Sequence, residues 1–430
     1  MSNAAITLIA TLVALAVAGV PLAWALCLSS FFSLAAAGTL GTLPILVQRL
    51  FGSGTQYALL AIFFFVLSGA IMQHGGLSKR LIDFANSIVG HISGGSSLVC
   101  MLACTFFAAI SGSSVATTAA IGSILYPELK RLGYPEPYAA ALPAAGGILG
   151  VIIPPSVLFI LYGSVTNTSP GKLLMSGLIP GLLGSVVLCV MCYIIARRYM
   201  YPRTSQFLMS EVLRSFKDAI WALLMPLIIL GGIYTGVFTP TESAAVSCAY
   251  GLIVAALFYR ELSFPTFTRI LKDSCRTTAN VMILVMSAGT FSYLLTIYQA
   301  PASLSRFLIA NVGSPAAFIA GAILLLVFLG MFMDVGAIIL ILGPMLAPVA
   351  LAFKIDPILF GLIFIFTLAI GQATPPFGGC LFVASSISGR NVIEIGRAAI
   401  PFCAALLLLV SICAVFPSLA TYLPSVMMGR

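Results

Sequence analysis

Apolar stretches of membrane-spanning length recur from one end of the chain to the other, separated by short breaks that are polar or rich in proline and glycine. Residues 4–37, 57–72, 173–196 and 398–415 are examples. A helix needs about 20 apolar residues to cross the hydrocarbon of a bilayer, so the pattern predicts crossing helices throughout and no large soluble domain. Residues 4–37 are too long for one crossing, and Gly19 and Pro21 interrupt them, which predicts two consecutive helices. No basic run precedes this stretch, so it is expected to stay in the mature protein rather than be cleaved as a signal peptide.

The breaks repeat. A shift of 221 positions aligns Gly122 with Gly343, Pro127 with Pro348, Gly150 with Gly371, Pro154-Pro155 with Pro375-Pro376, Ser164 with Ser385 and Pro180 with Pro401. Composition alone would give roughly one proline coincidence. Pro21 aligns with Pro240 at a shift of 219, which draws the leading helices into the repeat. Two copies of one unit are therefore expected, residues 1–200 and 218–430, joined by a polar linker at 201–217. Leu77, Leu81, Phe84, Ile88 and Ile92 form a helical stripe opposite Lys79, Arg80 and Asp83, and residues 300–313 hold a weaker counterpart. These are expected to be arm helices lying along the membrane surface; an ordinary loop helix is the alternative.

Polar residues inside the apolar stretches mark the candidate chemistry. In Ile110-Ser-Gly-Ser-Ser-Val-Ala-Thr-Thr118 a small polar run sits between flanks too short for independent crossings. This predicts a re-entrant helical hairpin near 98–130, its tip satisfied by ions or water, with a Ser/Gly helix-packing face as the alternative. A second hairpin is expected near 317–352, where Asp334 aligns with Ser113 and Gly336 follows. An intramembrane carboxylate is costly, so Asp334 is expected to serve a cation or a gate. After each hairpin comes an interrupted helix, near 138–168 and 357–388, where Gly147 and Pro154-Pro155, then Gly371 and Pro375-Pro376, free main-chain carbonyls. Such breaks in matching repeat positions point to a binding centre, with carbonyls for Na⁺ and half-helix N-termini for an anion. Ser111, Ser113, Ser114, Thr117, Ser156 and Thr374 add hydroxyls suited to hard cations or carboxylates. Glu242, beside Pro240, reads equally as a gating carboxylate or as a helix start.

Composition sharpens this picture. The chain of 430 residues is 61% hydrophobic and 7% charged, a balance that no water-solvated domain of this size could carry. Its net charge of +9 comes from basic residues between apolar spans. Arg197, Arg198, Arg203, Arg214 and Lys217, then Arg260, Arg269, Lys272 and Arg276, flank two crossings and so face one side, cytoplasmic by the positive-inside rule. Extending the trace leaves Arg49, Lys172, Arg306, Lys354 and Arg430 outside and predicts both termini to be periplasmic. The two copies then have opposite orientations, an inverted repeat characteristic of transporters. The basic residues thus speak for a bilayer rather than for nucleic acid. The ten cysteines lie mostly in apolar segments without metal-type spacing. The chain lacks a phosphate-binding loop, so no nucleotide is expected, and neither His74 nor His91 has a catalytic partner at useful spacing. The fold class expected is an all-α polytopic membrane protein of two inverted repeats with re-entrant hairpins and discontinuous helices. A transporter rather than an enzyme is expected.

The chain closely resembles the large membrane subunit of tripartite ATP-independent periplasmic (TRAP) transporters. The resemblance rests on Ser111-Gly-Ser-Ser-Val-Ala-Thr-Thr118, Tyr126-Pro-Glu-Leu-Lys-Arg-Leu-Gly-Tyr134, Ile152-Ile-Pro-Pro-Ser156, Thr239-Pro-Thr-Glu-Ser243 and Ala373-Thr-Pro-Pro-Phe-Gly378. It implies an elevator mechanism driven by inward Na⁺ flow, a periplasmic substrate-binding protein, and a small membrane subunit of about four helices. That subunit is expected to be a separate chain, because the sequence begins directly with the first repeat. Carried over, Ser111, Gly112 and Ser114 with Gly147 and Pro154 would form one Na⁺ site, and Asp334 and Gly336 with Gly371, Thr374 and Pro375 another. Substrate would lie near Ser113, Thr117, Ser156 and Thr374, with Pro155, Pro376 and Glu242 structural or gating. The substrates implied are organic anions such as C4-dicarboxylates, sialic acids or other sugar acids, taken up across the bacterial inner membrane. A stand-alone Na⁺-coupled divalent-anion carrier of similar architecture is the runner-up, followed by a channel and an intramembrane enzyme.

Overall fold

The computed structural model describes residues 3–203 and 207–428. Residues 204–206 of the expected linker, and Arg430 of the expected outer face, lie outside them. Among the described residues every regular element is helical.

The chain opens with α1 (Asn3–Val17) and α2 (Leu22–Ala36), separated at Gly19 and Pro21, then α3 (Leu43–Gly54) and α4 (Leu60–His74). The amphipathic α5 (Leu77–Val89) buries Leu77, Leu81, Ile82 and Ala85. Next come α6 (Gly95–Ser111) and α7 (Ser114–Arg131), a hairpin turned at Gly112 and Ser113. An interrupted helix follows: α8 (Glu136–Gly147), α9 (Leu149–Ile152) and α10 (Val157–Thr166), bent by 45°. The long α11 (Pro170–Tyr199) ends this set of elements.

The same order then recurs. It runs through α12 (Met209–Tyr234), α13 (Pro240–Ile253, continuing in π geometry to Phe258), α14 (Phe264–Ile297) and α15 (Ala300–Val312). The hairpin of α16 (Pro315–Gly330) and α17 (Val335–Ala352), the interrupted pair α18 (Pro357–Gly371) and α19 (Gly379–Ser388), and the long α20 (Val392–Val415) complete it. A last helix, α21 (Ser418–Met428), packs on α11. The continuous α14 stands where the first set has α3 and α4. Between the open ends of the two hairpins the chain makes five passes: α8–α10, α11, α12, α13 and α14. An odd number of passes puts those open ends on opposite faces.

Local chemistry sets the helix starts. Proline occupies the first turn of α11, α13, α14, α16 and α18, where its missing N–H costs nothing. Side-chain oxygens of Ser113, Ser156, Ser169, Thr239, Ser263, Ser314, Asp334 and Asp356 accept first-turn amides, satisfying donors that have no intrahelical partner.

Packing makes two bundles. Helices α1–α4 with α12–α14 form one, and the hairpins and interrupted helices with α11, α20 and α21 form the other. Contacts between the two sets are reciprocal: α2 packs on α14 as α13 packs on α4, and α10 on α17 as α19 on α7. Helix α5 touches both α12 and α6, and α15 touches both α14 and α17, so each bridges the bundles.

One expected boundary shifts. Residues 209–217, assigned to a linker from their charge, form the first turns of α12. The reason is α5, which gives them a partner: Phe84 packs on Phe216 at 5.6 Å between ring centroids, and Ser87 Oγ lies 2.8 Å from Ser215 Oγ.

The second bundle closes over the first helix break with glycine. A side chain on Gly177 of α11 would overlap the Ile152 carbonyl and reach 2.9 Å from Phe159. Gly177→Ala is therefore expected to destabilise the protein by about 1–3 kcal/mol, whereas Gly321→Ala in α16, where a Cβ meets open space, leaves thermal unfolding in detergent unchanged.

Candidate functional site

Two non-helical stretches, 153–156 and 372–378, separate α9 from α10 and α18 from α19. Both contain a cis prolyl bond, Pro154-Pro155 and Pro375-Pro376. Each proline lacks an amide hydrogen, so the carbonyls one turn earlier lose their donors.

The first hairpin tip covers the first break. Gly112, at φ +62°, turns the chain so that its carbonyl accepts the Val157 N–H at 3.5 Å. A Cβ on Gly112 would stand 2.8 Å from the Pro155 carbonyl oxygen, so only glycine fits both the φ and the approach. Ser113 then caps α7 through the Ala116 N–H, and Ser156 caps α10 through the Phe159 N–H, each at 3.4 Å.

Oxygen atoms gather at this tip. Thr117 Oγ1 donates to the Ser113 carbonyl at 2.8 Å and lies 2.8 Å from Ser111 Oγ. Thr118 Oγ1 donates to the Ser114 carbonyl at 2.9 Å. Gly150 and Gly147 lie against them: a Cβ on Gly150 would come within 2.5 Å of both the Ser113 carbonyl and Thr117 Oγ1. These are hard, neutral donors with no carboxylate among them, and among the described residues no group of three His, Cys, Asp or Glu could hold a metal. Such a set suits a monovalent cation better than a divalent one, which requires anionic ligands.

The second tip is built differently. Gly371 abuts Gly330 at the end of α16, where a Cβ would stand 2.7 Å from the Gly330 Cα. Phe332 packs on Phe377 at 6.0 Å between centroids. Within the break, the Gln372 carbonyl accepts the Cys380 N–H at 3.0 Å, and Thr374 Oγ1 donates to the Ile370 carbonyl at 2.8 Å. Pro375 is covered by Gly396 of α20, much as Gly177 covers the first break. Asp334 was expected deep among apolar atoms, but its side chain is exposed and caps α17 through the Ala337 N–H at 3.3 Å. The start of α17 also meets the first copy, with Gly336 beside Leu161 of α10.

A hydrogen bond ties the first tip to the second copy. Ser114 Oγ donates to Gln372 Oε1, and both residues are buried. The first tip therefore touches both breaks. Of the expected substrate residues, Thr117 and Ser156 are fully buried, while Ser113 and Thr374 are partly exposed. Pro154 and Pro155 are buried and Pro376 half-buried. Glu242 stands apart: it accepts from Thr239 N at 2.8 Å and Thr239 Oγ1 at 2.9 Å, a capping box at the start of α13. That geometry belongs to the helix-start alternative.

Sequence inspection missed Gln372, Gly330 and Gly69. A buried Gln beside a paired Gly and Pro was the available signal for the first. Gly69 of α4 carries no such signal, yet a Cβ there would stand 3.3 Å from the Ser111 Cα and carbonyl oxygen, at the seam between the bundles.

Removing one partner of the Ser114–Gln372 bond leaves a buried polar group without a mate. Ser114→Ala and Gln372→Leu are each expected to cost about 1–3 kcal/mol. The double variant should cost less than their sum; simple additivity in thermal unfolding would mean the bond is not formed.

Residues 9–419 match the family described as tripartite ATP-independent periplasmic transporter, DctM component. The chain is 42% identical over 380 residues to the C4-dicarboxylate TRAP transporter large permease protein DctM of Pseudomonas aeruginosa, covering 88% of this chain and 89% of that one. It is 40% identical over 398 residues to the 2,3-diketo-L-gulonate TRAP transporter large permease protein YiaN of Escherichia coli, covering 93% of each. Among solved structures, the YdaH transporter of Alcanivorax borkumensis shares the fold, with a TM-score of 0.62, 14% identity and coverage of 89% of this chain and 90% of that one.

Proposed function

We propose that this chain, which belongs to the DctM family of tripartite ATP-independent periplasmic transporters, imports a small organic anion by coupling it to inward Na⁺ flow. The permease is a multi-pass membrane transport protein and not an enzyme. In the proposed cycle the hairpin bundle moves as a unit against the bundle of α1–α4 and α12–α14, carrying the tips from one face to the other. The observation that carries the proposal is the convergence of the first tip on both helix breaks, through Gly112 to Val157 and through Ser114 to Gln372. Hydroxyl and carbonyl oxygens at Ser111, Ser113, Ser114 and Thr117 would take Na⁺ as co-transported cargo. Half-helix N-termini at α7, α10, α17 and α19 would offer positive dipole ends to the anion. Asp334, at the N-cap of α17, would act on ions or on opening of the second tip.

The two relatives handle a C4-dicarboxylate and a sugar acid, so a small carboxylate is the substrate class proposed, and a C4-dicarboxylate the first to test. A periplasmic binding protein would deliver it, and a small membrane subunit would widen the static bundle. The basic residues at the α11–α12 and α13–α14 junctions would face the cytoplasm of an inner membrane, and both termini would then lie in the periplasm.

Proteoliposomes holding the permease, its small subunit and its binding protein should take up succinate only under an inward Na⁺ gradient. Uptake without the binding protein would favour the stand-alone carrier. Ser113→Ala and Asp334→Ala are each expected to reduce the rate at least about tenfold at unchanged expression. Gly69→Val should stall transport while leaving the protein folded, because bulk at that seam meets the Ser111 backbone.

A further inference from the structure

The pseudo-twofold relation between the copies exposes one place where they differ sharply. On the face where the first hairpin opens, Glu136 at the start of α8 is held by Arg390 at 2.7 Å and Lys130 at 3.2 Å. The Tyr126 hydroxyl donates to Glu136 at 3.2 Å and to the Ser388 carbonyl at 3.3 Å. This cluster fills the junction of α7, α8, α19 and α20. At the 221-residue shift Tyr126, Lys130, Glu136 and Arg390 correspond to Ala347, Leu351, Pro357 and Ser169. The mate of the filled junction therefore has smaller or uncharged side chains, and it is open.

Two adjoining cavities of about 530 and 420 Å³ occupy that opening. They share Val165, Asn167, Ser292, Thr296 and Pro344 as walls, so they are two lobes of one recess. It lies between α3 and α14 of one bundle and α10 and α17 of the other. Each lobe falls within the range of about 300–1,000 Å³ usual for ligand clefts. Its charged lining is Lys172 in one lobe and Arg49 in the other, with no carboxylate among the lining residues. Asp356, next in sequence to the lining Pro357, caps α18 through the Ile358 and Leu359 N–H groups at 2.8 and 3.1 Å. Arg49 is held by a cation–π contact, its guanidinium 4.9 Å from the Tyr293 ring centroid, and is paired with no acid among the described residues.

We infer that this recess is a peripheral anion-binding vestibule, in which Arg49 draws a small carboxylate to the seam between the bundles before it reaches the hairpin tips. The inference rests on the proposed transport function, which makes the cargo an anion and this face periplasmic. A cationic cleft with low-dielectric walls concentrates anions and raises their rate of arrival. Polar walls from Gln56, Asn167, Ser292 and Thr296 leave the carboxylate solvated and weakly held, so that it can move on.

Two measurements separate the vestibule from the transport reading. In detergent-purified protein, millimolar succinate should slow phenylglyoxal modification of Arg49, read by peptide mass spectrometry, several-fold more than modification of Arg276. Ala347→Tyr, which places in the recess the side chain that fills its mate, should abolish that protection. Equal protection at both arginines overturns the vestibule whether or not the chain transports. Protection that appears only on adding the binding protein also overturns it, by assigning Arg49 to a protein docking surface. In the reconstituted tripartite system, Arg49→Gln should raise KM about three- to tenfold with little change in maximal rate, and Arg49→Lys should restore it. The difference should shrink as potassium chloride is added at constant sodium, because screening shortens the reach of the charge. A lower maximal rate at unchanged KM counts against the inference, whereas absence of any sodium-driven uptake in the wild type counts against the transport reading and leaves the modification result to decide the vestibule.

Discussion

A peptide group inside hydrocarbon must find a hydrogen-bond partner within the protein, and this requirement governs where the chain can stop being helical. Both proline doublets break a helix, and both breaks are covered by other protein. Glycine makes the cover possible: Gly112 meets the Pro155 carbonyl, Gly177 the Ile152 carbonyl, Gly371 the backbone of Gly330 and Gly396 the ring of Pro375. Small residues let backbones approach where a side chain would hold them apart. The hairpins are thus the means by which interrupted helices can exist in the apolar interior.

This dependence ties the repeat to the chemistry. Each copy needs a tip beside its own break, and each second half-helix needs the other copy: α10 lies on α17, α19 on α7. The copies have nonetheless diverged at the polar positions. Ser113 and Asp334 occupy the same capping position at the two tips, one neutral and one a carboxylate. Gln372 corresponds to Val151, so the buried amide that links the first tip to the second break has no mate. The framework is shared, and the oxygen donors are distributed unequally on it.

Much of this was legible in the sequence because it follows from proline, glycine and apolar length, whose effects are local. The hairpin at Ser111 to Ser114 and both doublets are visible as interruptions of apolar runs, and the helix break between α1 and α2 as Gly19 and Pro21. What could not be read depends on distant partners. Residues 209–217 look like a charged linker until α5 supplies Phe84 and Ser87 to pack against. Asp334 looks buried because its neighbours in sequence are apolar, yet a tip can present its cap to an open surface. Gly69 is one small residue in an apolar helix, and only the position of Ser111 in the other bundle gives it meaning.

The seam between the bundles is where a moving transporter would be most constrained. Interlocked side chains there would have to be unpacked at each step, at the cost of lost dispersion contacts. Near the first tip the seam instead brings a glycine against main chain, Gly69 against Ser111, with no ion pair between them. The ion pairs of the hairpin bundle, Glu136 with Lys130 and Arg390, lie within that bundle and would travel with it. The arm helix α5 is different: Arg80 is bonded to Glu261 at 2.8 Å and stacked on Tyr259 at 3.8 Å, which fixes α5 to the end of α13. Strong electrostatic contacts thus hold parts that would stay together, and small residues separate parts that would slide. A rigid carrier moving past a fixed frame requires that division of labour, and a channel with a single gate does not.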